Sequence, residues 1–264
     1  MSATAPARMP MVFFGHGSPM NAIEDNAITR CWRQIGRQLP RPRAILCVSA
    51  HWLTRGTGVT AMPAPKTIHD FGAFPQALFD VRYPAPGDPA LAARVRELLA
   101  PLPVALDGHS WGLDHGCWSV LVHAYAEADI PVVQLSMDVA HAPAQRFEIG
   151  QRLTALREQG VLIVGTGNIV HNLSRMDWGS PDAPPYDWAQ RFHDYVCDAV
   201  REDRPERVVD FASRGEDARL SAPTPDHFWP LLYVLGARRD EPVRFENDYL
   251  QHGSLSMVSM VFGG

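Results

Sequence analysis

The sequence predicts a single α/β domain with a central mixed, largely parallel sheet that is flanked by helices on both faces. Short apolar runs alternate along the chain with longer segments of helical periodicity, as in strands joined by crossover helices. The length of 264 residues suits one large domain, expected to span residues 1–264. The hydrophobic fraction of 46% and the charged fraction of 20% are ordinary for a globular protein, so the composition indicates neither disorder nor a fibrous repeat.

Four short apolar runs are predicted to be strands that lead into loops. They comprise residues 11–14, 44–49, 131–136 and 161–165. The region 245–262 has Gly253 at an expected turn and is predicted to be a closing hairpin with antiparallel strands. Because of this hairpin we expect a mixed sheet rather than a purely parallel one.

Five segments are predicted to be helices because their apolar residues recur at helical spacing. They are expected at residues 88–99, 116–128, 142–159, 187–202 and 228–235. In the first of them, Leu91, Val95 and Leu98 fall on one stripe. Two segments rich in turn residues, 54–86 and 174–187, are predicted to be loops that cover a functional site.

The charge distribution argues against nucleic acid and membranes as partners. The formal net charge is −5, and the longest basic run is the pair Arg238 and Arg239. The apolar stretch 11–14 is too short for the core of a signal peptide or for a membrane span, so the protein is expected in the cytoplasm. A small molecule is therefore the expected partner, and the oligomeric state is left open, with a homo-oligomer as one alternative.

The cysteine and histidine contents indicate which side chains could hold a metal. The four cysteines are far apart and form no C-x-x-C pair, so neither a disulfide framework nor a thiolate zinc site is predicted. The eleven histidines are a richer supply of ligands. Any metal is therefore expected to be held by imidazole.

Three histidines lie at or beyond the carboxyl ends of predicted strands. His16 lies between two glycines after the first strand, His51 ends the second, and His171 follows the strand 161–165 by way of a glycine-rich turn. Ligands of open α/β sheets bind beyond the carboxyl ends of the strands. A single histidine in such a place is more often a hydrogen-bonded loop residue, but three at one edge of the sheet predict a common site.

Two further histidines, His115 and His227, lie at the beginnings of predicted helices. The helix dipole there disfavours an added positive charge, so a neutral imidazole that can ligate a metal or act as a base is expected. The other six histidines are weaker candidates. His123, His193 and His252 are predicted to be structural, and His69, His109 and His141 are left undecided.

Six ordered segments resemble one known family. They are GHGSPM at 15–20, VSAHW at 48–52, WGLDHG at 111–116, ADIPVVQLS at 128–136, GTGNIVHNL at 165–173 and TPDHFWPL at 224–231. Together they resemble the class III extradiol ring-cleavage dioxygenases, most closely the 4,5-DOPA extradiol dioxygenase-like branch. The resemblance covers nearly the whole chain and implies one catalytic domain of this kind over residues 1–264.

The resemblance implies a metal-dependent oxygenase that inserts O2 into a catechol and opens its ring. It implies a metal held by His16, His51 and His227, with His171 either as a further ligand or as the acid/base group. His115 is expected to hydrogen-bond the substrate hydroxyl or the bound oxygen. The implied metal is Fe²⁺ for catalysis, with Zn²⁺ as an alternative occupant, and a proton-transfer histidine is expected to titrate near neutrality.

The sequence departs from the better-known extradiol enzymes at one ligand position. Those enzymes use a glutamate as the third ligand, whereas the matching position here is His227, and its neighbour Asp226 is either a ligand or a partner of the histidine. Aromatic residues of the loop 54–86 could supply one wall of a pocket for the ring. They are Phe71, Phe74, Phe79 and Tyr83, and Trp52, Trp111 and Trp229 stand beside site residues in the sequence.

Two other functions remain open from the residues alone. A zinc-dependent hydrolase would use the same histidines and a metal-bound hydroxide, but the sequence offers no obvious glutamate base beside them. A non-catalytic metal-binding protein would keep the fold with a closed site. Motifs of zincins, serine hydrolases and phosphate-binding loops are absent from the sequence.

Overall fold

The strands of this computed structural model, which describes residues 8–263, include all those expected from the apolar runs. The ten strands are β1 (Met11–Gly15), β2 (Ala44–Thr54), β3 (Thr57–Thr60), β4 (Val104–Asp107), β5 (Val132–Asp138), β6 (Val161–Gly167), β7 (Val243–Glu246), β8 (Leu250–Gln251), β9 (Leu255–Ser256) and β10 (Ser259–Phe262). Eight of them form one sheet in the order β4-β3-β5-β2-β6-β1-β10-β7. β8 and β9 form a separate two-stranded pair.

The sheet is mixed, as predicted. Its four central strands, β5, β2, β6 and β1, are parallel to one another. β10 is antiparallel to both β1 and β7, and β3 is antiparallel to β5. The predicted hairpin over 245–262 corresponds to β7 and β10 at the sheet edge, with Gly253 at the turn between β8 and β9, where its φ is +74°.

Helices cover both faces of the sheet. Those that the structure describes are α1 (Ala27–Gln38), α2 (Gln76–Phe79), α3 (Pro89–Leu99), α4 (His115–Ala124), α5 (Pro143–Leu153), α6 (Asp187–Arg201), α7 (Pro205–Val209), α8 (Glu216–Ser221) and α9 (Trp229–Ala237). The buried side chains of α3, α5, α6 and α9 form one hydrophobic cluster with the sheet, and those of α1 and α4 form the other. Within residues 8–263 no helix is both long and apolar enough to cross a membrane.

The alternation of side chains along β1 explains why its sequence is apolar throughout. Met11 and Phe13 pack into one cluster, whereas Val12 and Phe14 pack into the other. A strand that is covered on both faces has no solvent-facing position and therefore reads as a continuous apolar run.

Several predicted boundaries were wrong. The segment 54–86, predicted as a loop, contains β3 and α2, and α1 and β4 were not predicted. The predicted helix 116–128 begins one residue earlier and ends at Ala124. The predicted helix 142–159 ends as an α-helix at Leu153 and continues as a 3-10 helix, Thr154–Gln159.

Candidate functional site

Five histidines from five separate segments line one cavity of about 280 Å³. His16 follows β1, and His51 lies in β2, where the pairing with β5 shifts register between residues 48 and 53. His171 lies beyond β6, His115 is the first residue of α4, and His227 ends the short 3-10 helix Pro225–His227. The expected convergence at the carboxyl edge of the parallel strands is therefore observed. A larger groove of about 850 Å³ lies beside β3 and β4, away from this cluster.

The rings are close enough to share one ion. The Nε2 atoms of His16 and His51 are 3.3 Å apart, and the ligand atoms of His16, His51 and His115 all lie within 4.8 Å of one another. The ring centroid of His227 is 5.2 Å from that of His16 and 4.9 Å from that of His51. The ring of His171 is stacked on that of His227, with centroids 3.6 Å apart and an interplanar angle of 4°.

Burial favours the neutral form, which metal coordination requires, for His16, His51 and His171. Burial, and then the nearby charges of His227 and His115, lower the pKa of His16 well below its ordinary value. Burial and His115 do the same for the pKa of His51. Burial and His227 lower the pKa of His171 to about 3. This value lies below the near-neutral range expected of a proton-transfer histidine, mainly because the ring is buried.

These nitrogens fit a metal by their chemistry. Two Nε2 atoms that face each other at 3.3 Å cannot both carry a proton, so at least one presents a lone pair to the other. The Nδ1 atom of His16 is buried and has no hydrogen-bond partner among the described residues. Neutral imidazole nitrogens are good ligands for iron and zinc. A divalent cation can therefore bind between these nitrogens, where a hydrogen bond would otherwise join the two rings.

Asp70, which the sequence analysis did not single out, orients His115. Its Oδ1 accepts a hydrogen bond from the backbone N–H of His115 at 2.9 Å and lies 3.0 Å from Nδ1 of the same residue. Its Oδ2 lies 3.8 Å from Nδ1 of His51. Burial would raise the pKa of Asp70, but the hydrogen bonds and charge of His115 outweigh it, and the pKa is lowered. A carboxylate thus faces two histidines from outside the cluster.

Asp226 supports His227 in the same way. Its Oδ2 lies 2.5 Å from Nδ1 of His227, which leaves Nε2 as the free nitrogen of that ring. Burial would raise the pKa of Asp226, but the hydrogen bond and charge of His227, with a hydrogen bond from Thr224, outweigh it, and the pKa is lowered. A carboxylate on Nδ1 is the usual partner of a metal-binding histidine and fixes its tautomer. The structure thus places Asp226 where it orients His227.

The position of His227 depends on a glycine at the end of β6. A Cβ atom on Gly167 would lie 2.1 Å from the carbonyl oxygen of His227, far inside van der Waals contact. The same oxygen accepts a hydrogen bond from the backbone N–H of Asn168 at 2.9 Å. The close approach of these two backbones therefore requires glycine at position 167.

The rest of the cavity is mainly apolar. Besides the histidines it is lined by Gly17, Ser18, Pro19, Phe74, Leu173, Met176, Trp178 and Leu255. Phe74 comes from the predicted aromatic loop, and Phe71 packs 5.4 Å from the ring of His115. Met176 and Trp178 come from the segment 174–187, which was predicted to cover the site. Such a cavity suits a ring with few polar groups.

Other aromatic residues of the sequence analysis lie outside the cavity. Tyr83 is buried and donates a hydrogen bond to the carbonyl of Tyr125 at 3.0 Å. The rings of Trp52 and Trp111 are stacked on each other at 5.7 Å. The guanidinium of Arg146 lies over Trp229 at 3.6 Å. Phe79, the last residue of α2, packs on the ring of Phe71.

Comparison with known proteins agrees with this geometry. Residues 10–263 match the family described as the catalytic LigB subunit of aromatic ring-opening dioxygenase. The chain is 53% identical to the 4,5-DOPA dioxygenase extradiol of Escherichia coli (strain K12), over 100% of this chain and 97% of that protein. It is 36% identical to the protein of the same name from Portulaca grandiflora, over 95% of this chain and 94% of the relative.

A solved structure has the same fold. The crystal structure of an uncharacterized protein from Escherichia coli K12 superposes with a TM-score of 0.85 at 49% identity, over 97% of this chain and 100% of that one. The family match covers nearly the whole chain, and the identity to a full-length relative is far above 30%. This chain therefore belongs to the LigB family of aromatic ring-opening dioxygenases.

Proposed function

We propose that residues 1–264 form one catalytic domain that cleaves catechols of the DOPA type by extradiol ring opening, with Fe²⁺ as the metal. The observation that carries the proposal is the convergence of five histidines on one largely apolar cavity. The names of the bacterial and plant relatives supply the substrate class. O2 would be the second substrate, and both of its atoms would enter the ring-opened product.

We assign the metal to His16, His51 and His227, with His171 as a further ligand or as the proton-transfer group. The lowered pKa values of His16 and His51 support the ligand role, because only a neutral imidazole has a free lone pair. When bound, Fe²⁺ would supply the electron transfer between the catechol and O2 that ring opening needs. His171 is stacked on His227, so its ring lies beside the proposed ligands in either role.

His115 is assigned to the substrate. Asp70 holds its backbone N–H and faces its Nδ1, so Nε2 is the nitrogen available to a substrate hydroxyl or to oxygen. The apolar residues Phe74 and Leu255 would pack on the faces of the catechol ring and exclude water. The side chains of the protein thus bind the ring, orient its hydroxyls and hold one proton beside them.

A zinc-dependent hydrolase is not favoured. The family to which the chain belongs opens aromatic rings with O2. The residues that line the cavity include no glutamate or aspartate that could activate water as a general base.

The direct test is reconstitution with Fe²⁺ under anaerobic conditions, followed by air and a panel of catechols that includes L-DOPA. We expect oxygen uptake in step with the visible absorbance of a ring-opened product. The same protein loaded with Zn²⁺ should consume no oxygen, and an aryl ester should not be hydrolysed. Absence of oxygen uptake with every catechol, despite bound Fe²⁺, would contradict the proposal.

Substitution of single histidines tests the ligand assignment. His16→Ala should lose most of the bound metal and all measurable activity, because it removes a buried ligand. His171→Ala should lose metal to the same extent if it is a ligand, but should keep metal and lose activity if it transfers protons. His109→Ala, at an exposed histidine outside the cavity, is the matched control. Full metal content and activity in His16→Ala would refute the site.

A further inference from the structure

A second group of metal-binding side chains lies outside the five-histidine cavity. His193 and Cys197 are one turn apart on α6 and therefore share a face of the helix. Asp248 reaches the same point from the connection between β7 and β8. The ligand atoms of these three residues all lie within 4.8 Å of one another.

The spacing of these atoms is close to that around a tetrahedral ion. The Nε2 atom of His193 is 3.6 Å from Sγ of Cys197 and 2.8 Å from Oδ1 of Asp248. Zinc bond lengths imply about 3.6 Å between a nitrogen and a sulfur ligand, and about 3.3 Å between a nitrogen and an oxygen ligand. Only Asp248 has to move, by about half an ångström on that geometry. Its side chain is 41% exposed and is free to do so.

The remaining nitrogen of His193 is already held in place. Its Nδ1 is 3.0 Å from Oγ of Ser256, a fully buried residue of β9. A hydrogen bond to the second ring nitrogen is the common arrangement of a metal-binding histidine, because it orients the ring. His193 and Cys197 are both buried, whereas Asp248 faces solvent. A cation would therefore enter from the Asp248 side and keep one position open to water.

We propose that His193, Cys197 and Asp248 form a second metal site, for a divalent cation of the zinc type. The donors are nitrogen, sulfur and oxygen, a set that suits Zn²⁺ or Co²⁺ and not the oxygen-preferring Mg²⁺ or Ca²⁺. On binding, the Cys197 thiol gives its proton to solvent and its sulfur lone pair to the cation, and nothing is oxidised or reduced. Burial, and then the charge of Asp248, raise the pKa of this thiol, so it keeps its proton until a cation arrives.

The site is independent of the proposed catalytic function, and a cation bound there would link segments that are distant in the chain. It would join α6 to the segment between β7 and β8 and, through Ser256, to β9. The neighbouring residue Leu255 lines the histidine cavity, and its backbone pairs with that of His171. The cation would thus brace one wall of the cavity from behind.

Cobalt provides a test that separates the two sites. The five-histidine cavity contains no cysteine, so only the second site can give the near-ultraviolet charge-transfer absorption of a thiolate bound to Co²⁺. We expect this absorption when Co²⁺ is added to the whole protein without oxygen or added thiols. It should persist in Cys31→Ser, a free cysteine elsewhere, and disappear in Cys197→Ser. Circular dichroism checks that both variants are folded.

Asp248→Asn tests the third ligand and covers the case in which Cys197→Ser does not fold. The substitution keeps a hydrogen-bond acceptor for His193 but removes the anion, so the Co²⁺ concentration at half-saturation of the thiolate absorption should rise at least tenfold. An unchanged titration would overturn the proposal. The proposal would also be overturned if the wild-type protein showed no thiolate absorption at saturating Co²⁺, or if the absorption persisted in Cys197→Ser. In either case His193 and Asp248 would be a hydrogen-bonded pair, and the Cys197 thiol would take no part in metal binding.

Discussion

Replacing Glu241 by glutamine should destabilise the protein at neutral pH but not at strongly acidic pH. Glu241 accepts a hydrogen bond from the guanidinium of Arg157 at 2.6 Å and one from the backbone N–H of Arg239 at 2.9 Å. Arg157 is 1% exposed and also donates to the carbonyl of Met9. The substitution removes the only carboxylate within 4.0 Å of this buried cation among residues 8–263.

The pKa of Glu241 sets the size of the effect. Burial alone would raise it, but the hydrogen bonds from Arg157, from the backbone of Arg239 and from Arg8, together with the charge of Arg157, outweigh burial and lower the pKa from 4.5 to about 2. A carboxylate with a lowered pKa in the folded state contributes stability above its unfolded pKa and loses it as the pH falls through the folded one. At about 1.36 kcal/mol per pH unit the full contribution is about 3 kcal/mol. About 1 kcal/mol of it is lost by pH 3.5.

The assay is urea unfolding of the wild type and Glu241→Gln at a series of pH values from 7 down to 3.5. The difference between their free energies of unfolding should be about 3 kcal/mol at pH 7 and clearly smaller at pH 3.5. Glu158→Gln is the control, because this carboxylate is 64% exposed and 3.9 Å from its partner Arg8. A difference that stays constant over this range would refute the assigned pKa.

The site yields three further predictions. Asp70→Asn should lower kcat/KM or metal affinity by about 10- to 100-fold, because it removes the anion that orients His115, and unchanged kinetics would contradict this role. Gly167→Ala should destabilise the fold by about 1–3 kcal/mol and lower metal content, since its Cβ collides with the backbone of His227, and a thermal unfolding scan with metal analysis would show whether it does. Removal of metal by a chelator should abolish oxygen uptake, and Fe²⁺ added back, but not Mg²⁺, should restore it.

The parallel centre of the sheet was predictable because its strands are covered on both faces and therefore apolar throughout. The strands β3 and β4, at one end of the sheet, have only four residues each, and β3 contains Gly58, so neither shows a pattern that distinguishes it from a loop. The helix α1 did carry a signal. Ile28, Trp32 and Ile35 have helical spacing, but the two arginines between them, Arg30 and Arg33, mask it.

The five histidines were predictable from their places after strands and before helices, whereas the carboxylate behind His115 was not. Asp70 lies in a segment without regular secondary structure, and 45 residues separate it from His115. Such a contact depends on how a loop packs, which no periodicity in the sequence records. Asp226, in contrast, is adjacent to His227 in the chain, so the sequence alone was enough to suggest it as a partner of that histidine.

The wide separation of the five histidines along the chain determines when the metal site can form during synthesis. Because His16 and His227 come from distant segments, no early portion of a growing polypeptide contains the complete cluster. A ribosome adds roughly 5–20 residues per second, so many seconds pass between the synthesis of His16 and that of His227. The complete set of proposed ligands exists only once His227 has been synthesised, and a partly synthesised or proteolytically shortened chain that lacks His227 would have an incomplete metal site.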